Sequence, residues 1–93
     1  MINGPEGNTD AIERERGFYE ALKEAEITET AKRYGDFTIL SGMNGMNELF
    51  AFRPDAVFCA NDYMAAGAVK FLTESGIRIP QDVAVVAGRS WLD

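Results

Sequence analysis

Residues 56–60 read Ala-Val-Phe-Cys-Ala, five apolar positions without a break. A run this short and this continuous suits a strand buried on both faces, the kind a parallel sheet needs. It meets Asn61-Asp62 and then a stretch rich in Ala, Met and Val that runs to Gly76. The spacing predicts a helix there, capped by Asp62 and closed by Gly76 in the left-handed position after its last turn. The same alternation occurs along the rest of the chain. "MING" reads as a strand stub cut by Gly4-Pro5. Residues 8–25 read as a helix with Ala11, Phe18, Leu22 and Ala25 in one stripe, and Asp10 and Glu13 have capping-box spacing. Residues 31–34 make a weak strand. Residues 41–50 make a second helix with Met43, Met46 and Phe50 on one side. A turn at residues 79–82 leads into a last buried strand at 83–86.

The order β-α-β-α-β-α-β predicts a three-layer α/β sandwich: a mostly parallel sheet of about four strands with three helices on its faces. The 93 residues suffice for one domain with one core, so 1–93 is read as a single unit. The first strand is short, and Trp91 and Leu92 have nothing local to cover them. Both features suggest a piece of a larger protein, with open sheet edges that favour self-association.

Composition narrows the function classes. Apolar residues make up 46% of the chain, which excludes a disordered tail. The formal charge is -6, so these residues are a poor match for a phosphate backbone. No apolar run is long enough to span a bilayer, and Met1-Ile2-Asn3-Gly4-Pro5 does not read as a signal peptide. The single Cys59 cannot form an internal disulfide, and with no His in the chain it lacks the usual base of a thiol nucleophile. It reads as core. Glu13/Glu15 and Glu24/Glu26 read as solvated helix faces rather than acid/base pairs. No glycine-rich loop has phosphate-binding spacing with Lys, and no metal site or cofactor is expected.

In folds of this kind ligands bind outside the carboxyl ends of the strands. Three segments fall there: residues 4–8, 35–38 and 61–62. Arg14 sits on the helix after the first, on the side of Phe18. It is either a surface cation paired with Glu13 or Glu20, or a donor fork aimed at ligand oxygens. Phe37, in the polar loop "YGDFT", either folds back on the core or offers a flat face to a ring. Asn61 brings donors and an acceptor to a strand end, where hydroxyls could be read. The third helix is apolar on nearly every side, with Met64, Ala65, Ala66 and Val69 besides the sheet-facing positions. Its second side is covered either by more of its own chain or by a second subunit.

These residues carry a resemblance. "PDAVFCANDYMAAGAVKFLTESGIRIPQDVAVV" is similar to the effector-binding domain of LacI/GalR-family bacterial transcriptional regulators. So are "NGPEGNTDAIERERGFYEAL" and "GDFTILSG" upstream. The resemblance implies a flavodoxin-like, periplasmic-binding-protein-like lobe, here most of the C-terminal one. The other lobe and the DNA-binding headpiece would lie elsewhere in the parent protein. It implies a small-molecule effector, a sugar or a corepressor, held between lobes: Arg14 matches the family Arg that bonds sugar hydroxyls or the corepressor, Phe37 the aromatic that stacks on the ligand, and Asn61 an Asn near it. It further implies a homodimer with Met64, Ala65, Ala66 and Val69 as interface candidates, a cytoplasmic location, and operator contact only through the headpiece. The pattern departs at "VVAGRSWLD", where Arg89-Ser90 stand near the family's acidic pair. Two rivals are a lobe of a periplasmic ribose-type transport protein, and an enzyme or receiver on a flavodoxin-like sheet. "NGP" supplies no acids for a receiver.

Overall fold

The structure, a computed structural model, describes residues 1–88; the 89–93 tail, where the family pattern departs, lies outside the described residues. The elements run β1 (Ile2–Asn3), α1 (Thr9–Glu24), β2 (Arg33–Tyr34), α2 (Ile39–Leu49), a 3-10 turn (Phe50–Phe52), β3 (Ala56–Cys59), α3 (Asp62–Glu74) and β4 (Ala84–Ala87). The four strands form one sheet in the order β2-β1-β3-β4, every pair parallel. Ile2 pairs with Arg33 on one side and Cys59 on the other, while β3 and β4 run in register from Ala56↔Ala84 to Cys59↔Ala87. The chain crosses one way from β1 to β2 and the other way from β2 to β3 to β4. Right-handed crossovers therefore set α1 on one face and α2 with α3 on the other. This is the expected α/β sandwich.

The core lies between the sheet and the α2–α3 pair. Ile2, Met46, Val57, Cys59, Met64 and Leu72 are its large fully buried side chains. The opposite face is only partly covered: in β3, Val57 and Cys59 are buried, but Ala56 is exposed and Phe58 half-buried. The expected burial on both faces holds only for the α2–α3 side. Two ion pairs tie the short strand β2 down. Lys32 meets Glu15 of α1 at 3.1 Å and lies over the Tyr34 ring, and Arg33 reaches Glu48 of α2 at 3.4 Å.

The ends of the helices shift several expectations. Asn8, not Asp10, caps α1, accepting from the Ala11 N–H at 3.0 Å. Thr38 caps α2, so that helix starts at Ile39, two residues earlier than the sequence suggests. Asp62 does not cap α3. Asn61 is the cap, with extended backbone and its Oδ1 accepting from Met64 N–H at 2.9 Å; Asp62 is already helical. The reason is where the chain leaves the strand conformation. The last extended residue has its side chain free to reach back to the open N–H groups of the first turn. Asp62 instead sets its charge in the first turn, where the helix dipole favours an anion.

Helix α3 meets α2 closely enough that a Cβ on Gly67 would overlap the Ile39 carbonyl oxygen. Its second side is thus covered largely by its own chain. Met64 is fully buried and Ala65 nearly so, which removes both from the expected subunit interface. Ala66 and Val69 remain exposed, beside Tyr63.

Candidate functional site at the carboxyl edge of the sheet

Asn3, the last residue of β1, is the buried polar side chain of this edge. It is 1% exposed, and its amide is used at both ends: Nδ2 donates to the Ala11 carbonyl at 2.8 Å and Oδ1 accepts from the Gly4 N–H at 2.8 Å. One side chain thereby fixes the first loop and the first turn of α1 to the strand. Burial without both bonds would cost about 1–3 kcal/mol for each orphaned group.

The second loop is braced from within. Gly35 N–H donates to the Asn3 carbonyl at 2.6 Å, joining it to the first. Asp36 accepts from the Thr38 hydroxyl and from the Thr38 N–H, and Ser41 Oγ accepts from the Asp36 N–H at 3.1 Å. The Thr38 hydroxyl first, and then Ser41, hold the Asp36 carboxyl below its ordinary value. Between these anchors Phe37 adopts φ 70°, a left-handed conformation that bulky residues rarely take. Its ring folds back on the first loop, so that a Cβ on Gly4 would fall within it. Phe37 also packs against the core cluster and is half-buried.

The third segment closes onto the second. Asn61 Nδ2 donates to the Phe37 carbonyl at 3.1 Å while its Oδ1 caps α3. The orientation of this amide is fixed, because a flip would set donor against donor and acceptor against acceptor. One N–H and one lone pair remain for other partners. The structure thus brings Gly4, Phe37 and Asn61 together, as the edge rule suggests. Among the described residues no hydrogen bond links Arg14 to that contact. Arg14 is half-buried in the second turn of α1, on the side of Ala11 and Phe18. The expected pairing with Glu13 is absent, since Glu13 meets Arg16 at 3.9 Å. Among the described residues no salt bridge engages Arg14.

An apolar groove of about 700 Å³ lies elsewhere, lined by Phe18, Leu22, Ile27, Phe52, Phe58 and Val86 among others, and it includes none of Arg14, Phe37 or Asn61. Cys59 is fully buried, and burial pushes its thiol up to about 12. Among the described residues no group of acids and thiols could hold a metal ion, and no helix is long and apolar enough to cross a membrane.

The fold and this edge can be set beside known proteins. The periplasmic binding protein-like domain matches residues 1–90. The chain belongs to that family. Within it, the similar proteins are LacI-type transcriptional regulators. The regulator CelR of Thermobifida fusca is 47% identical over 89 residues, which cover 91% of this chain and 26% of CelR. A solved structure of a CelR–cellobiose complex superposes with a TM-score of 0.87 at 43% identity, covering 92% of this chain and 28% of that one. The lac repressor dimer bound to operator and the anti-inducer ONPF gives 0.86 at 34% identity, covering 92% and 31%. The chain spans about a quarter of the length of the curated relatives it matches. In this member of the periplasmic binding protein-like family the Asn3, Phe37 and Asn61 contacts lie at the carboxyl edge and the core lies beneath α2 and α3. Asn3 escaped the sequence reading because a lone Asn in a two-residue strand has no periodicity. Its only sign was a polar residue at a strand end, the same sign that singled out Asn61.

Proposed function

We propose that this chain is the effector-sensing lobe of a LacI-type transcriptional regulator. A small molecule, a sugar, binds outside the carboxyl ends of the strands against Arg14, Phe37 and Asn61. The observation that carries the reading is the joined edge, with the strained Phe37 and the Asn61 amide meeting there. CelR, a relative at this level of identity, has been solved with cellobiose, which supports a sugar. One lobe supplies half of a cleft and leaves its ligand wet, so the 93 residues alone bind sugar weakly or not at all.

In the longer protein, sugar bridging two lobes favours one arrangement of them. Operator affinity changes only insofar as the sugar binds the two arrangements unequally. DNA contact belongs to a headpiece outside these residues, in keeping with their charge of -6. Acting on DNA places the regulator in the cytoplasm. The reading is non-catalytic: the thiol is buried and the chain has no His. A homodimer uses the exposed Ala66 and Val69 with Tyr63 and Leu40 alongside. The transport-protein alternative is set aside because the similar proteins are regulators.

Calorimetric titration of the longer protein with cellobiose and a panel of mono- and disaccharides tests the site. Arg14→Ala and Phe37→Ala should each weaken binding by about 10-fold or more. No binding of any sugar, or wild-type affinity in both variants, would contradict it.

A further inference from the structure

We propose that Asn61 acts chiefly as a positioning residue, holding Phe37 in its left-handed conformation and its ring on Gly4. The inference rests on the reading of this edge as the effector face. Three observations carry it. Phe37 is a bulky residue at φ 70°, a conformation that persists only where its surroundings hold it. The Phe37 carbonyl receives the Asn61 Nδ2–H, and that amide is held at its other end by the Met64 N–H. The ring then lies where Gly4 leaves room for it and where any larger residue would meet it.

Asn suits this position for a reason that capping alone does not give. Asp, Ser and Thr cap a helix about as well. Ionised Asp has no donor for Phe37, and Ser or Thr has one hydroxyl oxygen on a shorter arm where Asn sets two separate atoms, Oδ1 to Met64 and Nδ2 to Phe37. The strand-to-helix junction at β3–α3 is thereby wired to the aromatic of a different loop, 24 residues earlier in sequence. Asn61 shapes the surface offered to a ring-shaped ligand through the placement of the Phe37 ring. Its free N–H and lone pair add to this.

The test separates the two functions of the amide. Asn61→Asp keeps the acceptor for Met64 and replaces the donor by an oxygen facing the Phe37 carbonyl. Asn61→Ser keeps a cap too short to reach Phe37. Proton NMR of the whole chain without ligand reads the Gly4 Hα signals, which the overlying Phe37 ring displaces; Phe37→Ala defines their undisplaced position. Both Asn61 variants should lose most of that displacement, with the Met64 amide shift retained and the melting midpoint within about 4 °C of wild type. Gly4 signals that stay displaced in either folded variant would overturn the proposal. So would a wild type with no displacement to lose. The readings fail separately. A regulator whose operator affinity ignores every sugar sinks the effector reading and leaves these shifts as they are; unchanged shifts sink the positioning role whatever binds.

Discussion

A side chain of even one carbon on Gly67 would overlap the carbonyl oxygen of Ile39. Helices α2 and α3 meet backbone to backbone at this point, and neither can yield without moving the core beneath it. Gly67→Ala gains up to about 1 kcal/mol of helix propensity, but overpacking at a backbone contact typically costs about 1–3 kcal/mol. With backbone as the obstacle the second effect wins. Urea unfolding should show a net loss of about 1–2 kcal/mol. A gain would mean that the two helices do not meet here.

The two ends of α3 and α1 make a matched comparison. Each closes with paired bonds from the residues after the helix: Ile77 N–H to the Leu72 carbonyl, and Ile27 N–H to the Leu22 carbonyl, both 2.9 Å. At the left-handed position α3 has Gly76, φ 75°, but α1 has Glu26, φ 58°. A side chain in that conformation costs about 1–2 kcal/mol, and glycine's extra freedom in the unfolded chain offsets part of the relief. Glu26→Gly should therefore stabilise the chain by about 0.5–1 kcal/mol in the same assay. Destabilisation would contradict the left-handed cap.

The cap of α3 separates two adjacent residues. Asp62→Ala removes a charge from the first turn and should cost about 0.3–1 kcal/mol, less in high salt. Asn61→Ala removes the cap and the bond to Phe37 and should cost about 1–3 kcal/mol. Equal losses, or the reverse order, would restore Asp62 as the cap.

Asp82 reports the turn before β4. Arg78 grips it with two side-chain bonds, Nε to Oδ2 at 3.0 Å and Nη2 to Oδ1 at 2.9 Å, and donates its own N–H to Oδ2 at 2.9 Å. These bonds lower the carboxyl to about 2. A depressed acid contributes stability above its unfolded value, and loses it as pH falls through its folded one. The contribution is thus complete above about pH 4 and fades toward pH 2. Carbon-detected NMR titration should find Asp82 near 2, with Arg78→Ala returning it to the ordinary range. A wild-type midpoint near 4 would remove the clamp.

The α/β alternation was legible because apolar runs and helical stripes differ in period, and Ala56–Cys59 stood out for its lack of polar breaks. The carboxyl edge followed from topology, which located Phe37 and Asn61 before any contact was known. Single-residue geometry was less legible. Asn61 and Asp62 are equally good caps in isolation, and only the point where β3 ends decides between them. Phe37 at a positive φ has no sequence sign, since tertiary bonds impose it against its own preference. The third helix misled for a related reason: its apolar second side was reserved for α2, so Met64 and Ala65 are core.

Part of what remains outward on α2 and α3 is apolar, among exposed polar residues such as Asn44, Glu48 and Lys70. Leu40 is 64% exposed, Tyr63 65% and Val69 39%. Light scattering of the chain should find a dimer or larger species, and Leu40→Glu with Val69→Lys should shift it to monomer. A clean monomer at high concentration would count against an interface on this face.

The most direct test of the regulatory account is the operator affinity of the longer protein with and without sugar, cellobiose first. The account predicts a change of about 5-fold or more for at least one sugar, abolished in Phe37→Ala. Operator affinity that no sugar alters, or that responds equally in Phe37→Ala, would contradict it.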